Sequence, residues 1–348
     1  MISVKVVLAG FGNVGRSLIK LLLDKYDILQ KRYGIKFDIL AIGDSSGFVY
    51  KVDTSFTRSE LEKLLQVPRG GLAKCGLGLV THDIRKVLDE TIPDFLVDLT
   101  PANYETGEPG LTYQVEALKR GIGVVTANKA PLVLSFRKLM NLAERRNVPY
   151  GYRATVFGGV PIVDMLRHLA AHEVKKVEGI LNATTNFILT KIFVENYTLA
   201  QAIEEARRIG VMEANPALDL EGIDAAAKIT IIANTLGIDL TLNEVKRRGI
   251  SNLPEEYIED VKKRGKCLKL LAILDVEKKE ASVEPVELDR SDDLAQVNYL
   301  LNAVRVETDY NKIFLKGVGG GPFETAINVL SELVELACRW LGTLRKIH

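Results

Sequence analysis

Two lysines stand alone in apolar surroundings, and an isolated ammonium is where proton chemistry is first sought. Lys228 is the sole charged residue between Asp224 and Asp239, inside Ala-Ala-Ala-Lys-Ile-Thr-Ile-Ile-Ala. That composition, free of proline and rich in alanine, predicts a helix. A helix apolar nearly all round is buried, and a buried ammonium needs a partner. Asp224 lies four residues earlier, on the same helix face, at the end where the dipole favours a carboxylate. The preceding loop adds Glu213, Asp219 and Glu221. A lysine facing acids in a loop suggests a tuned proton donor. The plain alternative is a structural ion pair under a core helix. The second lysine, Lys129, is the sole charge between Arg120 and Arg137, at the end of a strand-like Val-Val-Thr. Its plain alternative is a side chain reaching out of a half-buried loop.

A cofactor would have to stand beside these lysines, and the first residues suggest one. The apolar run 3–9 reads as a buried parallel strand. It leads into Gly10-Phe11-Gly12-Asn13-Val14-Gly15, followed by a helical Arg-Ser-Leu-Ile-Lys-Leu-Leu-Leu. Glycines in that order allow a tight turn, close approach of backbone to a pyrophosphate, and tight helix–strand packing. The phosphates would lie on the helix N-terminus. Asp44, after a second strand at 37–42, is the candidate acceptor for a ribose diol, which leans the reading toward NAD. No arginine follows it directly, although Lys51 and Lys63 leave NADP open. Thr100 and Thr126–Lys129 sit at later strand ends, where a nicotinamide is expected.

Strands alternate with helices to about residue 150, which predicts a parallel α/β sheet of the dinucleotide-binding type over 1–148. Residues 48–92 are less regular, with a helix near 58–66, and read as an insertion on the sheet edge without assigned chemistry. Near 150 the pattern changes. Residues 152–157 read as a strand leading to a glycine turn, with Pro161 opening a helix to about 172. A strand at 174–181 runs into the polar cluster Asn182-Ala183-Thr184-Thr185-Asn186, either a small-ligand site or a helix cap. A helix at 198–209 stops at Gly210. Beyond 250, strands at 268–274, 281–287, 303–308 and 312–316 predict an α+β substrate and dimerisation domain over 149–310. Gly317–Gly321 then precede a long terminal helix, so 311–348 is expected to return to the nucleotide domain.

Size and charge narrow the function classes. With 348 residues, 47% hydrophobic and 26% charged, the composition is that of an ordinary globular protein. A net charge of +1 gives no reason to expect nucleic acid or an anionic membrane as partner. Cys75, Cys267 and Cys338 have neither disulfide nor zinc spacing, and the four histidines have no ligand spacing. With no leader-like start and no apolar run of membrane-spanning length, the expectation is a cytoplasmic protein.

Taken in order, these motifs resemble homoserine dehydrogenases along nearly the whole chain. The matching pieces are Gly10–Gly15, Thr126–Lys129 with Pro131-Leu132, Gly179–Phe187, Glu213 through Lys228, and Gly317–Gly321 with Thr325-Ala326. The resemblance implies an NAD(P)-linked oxidoreductase interconverting L-homoserine and L-aspartate 4-semialdehyde, on the route to threonine, methionine and isoleucine. It implies Lys228 as proton donor and acceptor, with Lys129 as second catalytic lysine. Glu213 would hold the substrate ammonium, Asp219 and Asp224 would orient substrate and Lys228, and Gly210 and Thr184 would touch substrate. Gly321 is implied as a late cofactor contact, and a homodimer as the assembly. A monovalent cation, Na+ or K+, is implied at backbone oxygens of Arg153, Val156, Gly158 and Val160. Arg153 stands where the family usually has glutamate and Phe157 where it has a small residue, which weakens that site. The short form, with no C-terminal regulatory domain and no threonine inhibition through one, is expected.

The chemistry of the residues agrees. Reducing an aldehyde needs a hydride, which a nicotinamide brings, and a positioned acid for the developing alkoxide. The alternatives are another NAD(P)-linked reductase of related fold, or a nucleotide sensor without catalysis. A thioester-forming relative would need a reactive cysteine, and none of the three lies in the motifs. A sensor would have no reason to keep two lysines in charge-poor surroundings.

Overall fold

The computed structural model describes residues 2–212 and 216–342, which form two compact units. One comprises residues up to Thr155 together with those from Gly321 onward, and the other runs from Val156 to Gly320. The division therefore falls after 155 and 320, against the sequence expectation of 148 and 310. The final strand of the second sheet, at 312–318, is hydrogen-bonded to its neighbour at 301–308, which keeps it in the second unit.

The first unit is a seven-stranded sheet. Its strands are β1 (Ile2–Ala9), β2 (Ile35–Asp44), β3 (Gly47–Tyr50), β4 (Leu79–Thr81), β5 (Phe95–Asp98), β6 (Gly123–Thr126) and β7 (Tyr150–Gly151), in the spatial order β4-β3-β2-β1-β5-β6-β7. The five strands from β2 to β7 in that order are parallel, whereas β3 and β4 add antiparallel at the edge. The chain passes from β1 to β2 on one side and later to β5 on the other. Their carboxyl ends thus flank the crevice where ligands of open α/β sheets bind.

Helix α1 (Asn13–Asp24) follows β1, and α2 (Lys129–Arg146) follows β6. The insertion contains the expected helix, at Arg58–Gln66, closed by a capping box between Thr57 and Glu60. The strand expected at 152–157 is absent. Tyr152 and Arg153 donate their backbone N–H groups to the buried Glu332 carboxylate, at 3.0 and 2.9 Å, rather than to a neighbouring strand. The chain then turns helical over Ala154–Phe157.

In the second unit a six-stranded sheet runs β13-β12-β8-β10-β11-β9. Its strands are β8 (Val174–Ile180), β9 (Lys246–Arg247), β10 (Lys266–Asp275), β11 (Glu280–Asp289), β12 (Leu301–Thr308) and β13 (Lys312–Val318), antiparallel except for β9 beside β11. Helix α3 (Ala183–Val194) packs on β10 and β12, and α4 (Ile223–Thr235) packs on β10 and β11. The helix at Ile162–His168 ends before the expected 172.

The terminal helix, α5 (Pro322–Trp340), packs on α1 in the first unit. Ala326, Val329, Leu330, Leu333, Val334 and Ala337, spaced three and four apart, enter the same core as Val4, Val6 and Leu8 of β1. Among the described residues no helix is long and apolar enough to cross a membrane.

Candidate active site

The glycine turn fits a dinucleotide by geometry. Gly10 has φ +102°, and a Cβ there would lie 2.4 Å from the Leu99 carbonyl. A Cβ on Gly15 would meet the Gly10 carbonyl at 2.1 Å, while Gly12 faces open space. Gly12 is also the N-cap of α1 and supplies no capping side chain. The first N–H groups of α1 are therefore free of a side-chain cap, as a pyrophosphate requires. Gly10, Phe11, Gly12, Asp44, Ser45, Leu99 and Thr100 line one cavity of about 480 Å³, together with residues from the insertion.

Two residues in this groove are already committed. Asp44 accepts from the Ser46 backbone and hydroxyl at 2.8 and 2.6 Å through Oδ1, and from the Leu72 N–H at 3.3 Å through Oδ2. It tethers the insertion as well as lining the groove. The Thr100 hydroxyl donates to buried Asp98 at 2.6 Å and accepts from Asn128 at 3.0 Å. Burial pushes the Asp98 carboxyl up. Thr100 is thus fixed through both its hydroxyl and its backbone N–H, which donates to Asp98 at 2.9 Å.

The insertion, read from sequence as without chemistry, brings Arg69, Gly70 and His82 into the groove lining. Arg69 is exposed and hydrogen-bonds the Asn13 side chain of the glycine turn. Lys51, in contrast, is paired with Glu60 at 2.6 Å. The cation in the groove is therefore Arg69, delivered by a turn 25 positions after Asp44. The pairing of β3 and β4 on the sheet edge and the long-range bonds of Arg16 and Asp44 to the insertion return that turn to the strand ends, so no local signal marks it.

Lys129 opens α2 and is half-buried, with Asn128 capping the helix through the Ala130 N–H at 3.1 Å. It belongs to the first unit, as does Gly321, the N-cap of α5. Arg153 also lies in the first unit and pairs with Glu335, whereas Val156, Gly158 and Val160 lie in the second. The Val160 carbonyl already accepts from the Ile162 N–H at 2.9 Å.

The second unit gathers the remaining candidates. Lys228 is buried within α4, and its Nζ lies 2.7 Å from Asp224 Oδ2, one turn earlier, and 2.6 Å from the Leu181 carbonyl. An ammonium has three donors, so one N–H is uncommitted among the described residues. Asn182 donates to Asp219 Oδ1 at 2.7 Å and to Asp224 Oδ2 at 3.1 Å. Burial, first, and the charge of Asp224 push the Asp219 carboxyl up, while bonds from Asn182 and Thr184 pull it down. The single Thr184 hydroxyl hydrogen serves either Asp219 or the Val211 carbonyl at 3.0 Å, next to Gly210, whose φ of +75° ends its helix in open space. Gly222, at φ +73°, turns the chain into α4, and a Cβ there would press within 2.8 Å of Val283. Glu213 lies outside the described residues.

Among the described residues the cluster thus brings the Asp219 and Asp224 carboxylates together with the Lys228 ammonium. Chemically, such a cluster can accept from a cationic group and offer one N–H. Sequence reasoning named Thr184 and the acids, and read Asn182 within a polar cluster as a small-ligand site or a helix cap, without the Leu181 carbonyl or the two carboxylates that Asn182 meets. An Asn between strand and helix reads as a helix cap, and Asn182 is one, accepting from the Thr185 N–H at 2.9 Å.

Comparison with known proteins supplies the family. Residues 161–334 match the family model of homoserine dehydrogenase, and residues 10–152 match that of its NAD-binding domain. The chain is 36% identical over 340 residues to the homoserine dehydrogenase of Methanocaldococcus jannaschii, covering 95% of this chain and 98% of that one. It is 32% identical to an NAD(+)-dependent homoserine dehydrogenase of Pseudomonas canavaninivorans, covering 97% of each. A hyperthermophilic archaeal homoserine dehydrogenase in complex with NADPH superposes with a TM-score of 0.82 at 30% identity, over 97% of this chain and 98% of that one. The chain belongs to the homoserine dehydrogenases, NAD(P)-dependent oxidoreductases that interconvert L-homoserine and L-aspartate 4-semialdehyde.

Proposed function

We propose that Lys228 is the proton donor in aldehyde reduction and the acceptor in alcohol oxidation. The observation that carries this is its uncommitted N–H in a buried, acid-paired setting. When bound, the nicotinamide supplies or accepts the hydride. In the reducing direction the aldehyde oxygen gains negative charge, and the Lys228 ammonium passes its proton to that oxygen, leaving a neutral amine. Asp224, at 2.7 Å, pairs with that ammonium from one turn earlier on the same helix. Asp219 and Glu213 take the substrate ammonium, and Thr184 and the Gly210 turn close round it. Lys129 acts as the second cation for the developing alkoxide, and Gly321 adds a late contact to the cofactor. No step runs through a monovalent cation.

Lys228→Met tests the assignment. Turnover should fall by ~10²–10⁴-fold, the usual contribution of a positioned acid, in both directions, with the NAD(P) dissociation constant little changed. Retained turnover rejects the role.

We propose a homodimer joined through the strand-rich region near 268–308. Tyr299 and Leu300, large side chains left 44% and 39% exposed there, support it. Sedimentation with Leu300→Lys tests it, a dimer that survives the charge counting against that surface. Three free cysteines support a reducing cytoplasm as the compartment.

A further inference from the structure

Asn182 is buried, 5% exposed, at the junction between β8 and α3. Its Oδ1 accepts from the Thr185 N–H at 2.9 Å and from the Thr185 hydroxyl at 3.0 Å. Those two donors fix which way the amide faces, so Nδ2 must point away from the helix. Nδ2 has two hydrogens, and two carboxylates receive them, Asp219 at 2.7 Å and Asp224 at 3.1 Å. A cap alone would use only Oδ1.

The oxygen that Asn182 reaches on Asp224 is Oδ2, the same atom that pairs with Lys228. The neighbouring residue, Leu181, accepts from Lys228 through its carbonyl. Two consecutive residues thus touch all three charged members of the cluster. Two nearby carboxylates repel, and these two stand on separate elements, the short turn at Ala217–Leu220 and the first turn of α4. A lysine or arginine would join them but would cancel the negative charge a cationic substrate needs. A neutral amide joins them and leaves the charge.

We propose that Asn182 is a positioning residue for proton transfer, a neutral clamp that holds Asp219 and Asp224 together and aims the uncommitted Lys228 N–H at the reacting oxygen. This rests on the reading of Lys228 as the acid.

Asn182→Asp separates clamp from cap. Aspartate caps a helix as well as asparagine does, but it replaces the two donors with a third carboxylate. The expected result is a ~10²-fold loss in kcat, the scale for a misplaced reacting group, with NAD(P) affinity unchanged. The acid limb of the kcat–pH profile should also move to higher pH, because a third carboxylate opposes ionisation of the other two. Asn182→Ser, which caps without adding charge, should lose kcat by at least ~10-fold with the limb unmoved, and decides the matter if the aspartate variant does not fold. Turnover within about threefold of wild type and an unshifted limb, in whichever variant folds, overturn the clamp and leave a helix cap. Lys228→Met measured alongside distinguishes the failures. If it is inactive while the Asn182 variants are normal, only the clamp falls. If it is active, both readings fall.

Discussion

The second unit buries two lysines, and they differ in what surrounds them. Lys228 meets a carboxylate and one carbonyl and keeps a donor uncommitted. Lys269, in β10 and 2% exposed, donates to Asn186 Oδ1 at 2.9 Å, the Val297 carbonyl at 2.5 Å and Asn298 Oδ1 at 3.2 Å. Those are three neutral oxygens for three hydrogens, with no ion pair among the described residues. Without an opposing charge, burial lowers the Lys269 pKa to about 8. Asn186 in turn donates to the Val297 and Leu301 carbonyls, so the whole network ties the connection before β12 to α3. One lysine has all three donors bonded, while the other keeps one uncommitted among the described residues. Burial alone does not separate them. The count of uncommitted donors does.

The largest effect should come from removing the proton that Lys228 can release while keeping its charge. Lys228→Arg retains a cation and its donors, but a guanidinium is not deprotonated in proteins, so kcat should fall ~10²–10⁴-fold. Activity near wild type would mean that charge, not proton transfer, is the requirement, and the contrast between the lysines would lose its point.

At Lys269 the same logic predicts a change in stability. Lys269→Met leaves buried oxygens without donors, at about 1–3 kcal/mol for each such group, while kcat of the folded fraction stays within about threefold. The sign of the pH dependence follows from the lowered pKa. Between about 8 and the free-lysine range the unfolded chain binds a proton that the native chain has released, so native stability rises with pH there. Methionine has no such response, and the stability gap between the proteins should widen from pH 7.5 to 9.5 in urea denaturation. A constant gap would show that Lys269 is not perturbed.

That distinction was only partly legible in the amino-acid order. The glycine turn, the helix at 58–66 and the Asp224–Lys228 spacing are local patterns, and local patterns survive into the fold because few contacts override them. Lys269 stood unremarked in Leu268–Leu274, since a lysine in a strand ordinarily faces solvent, and only the helices packed on β10 bury it. Arg69 was hidden for a related reason. Its position depends on β2, β3 and β4 pairing across the sheet edge, a long-range event with no short motif. The strand misread at 152–157 has β-branched and aromatic residues enough. The carboxylate that captures its N–H groups, Glu332, lies 180 positions away from Tyr152.

Donor counting extends to the first unit, where two arginines repeat the contrast. Arg16 donates to the Leu65 and Val67 carbonyls at 2.8 and 2.6 Å and lies over the Phe11 ring, a staple between α1 and the insertion. Arg69 makes one side-chain bond, to Asn13, and lines the groove beside Asp44 and Ser45. Its remaining donors suit the 2′-phosphate of NADP, which offsets the repulsion from Asp44. Arg69→Glu should lower the ratio of kcat/KM for NADP to that for NAD by ~10–100-fold, the range for a lost charge-assisted contact. An unchanged ratio would place Arg69 with Arg16 as structural.

The smallest effect expected is a gain. Burial, first, and the charge of Asp224 shift the Asp219 carboxyl up. A carboxyl whose native pKa is raised favours folding only while protonated. Below the unfolded carboxylate range it carries no penalty, and as pH rises through its native pKa the ionised form destabilises the fold. Asp219→Asn fixes the neutral form and can still accept from Asn182 through its own Oδ1. At pH 7 the variant should therefore melt a few degrees above wild type, about 2–4 °C for each kcal/mol recovered, and near pH 3 the two should coincide. Activity should be lost across the same range, because the substrate ammonium loses a counter-charge. A variant that melts lower at pH 7 would mean that Asp219 is stabilised by its neighbours rather than constrained by them. The cluster around Lys228 would then be no less saturated than the one around Lys269.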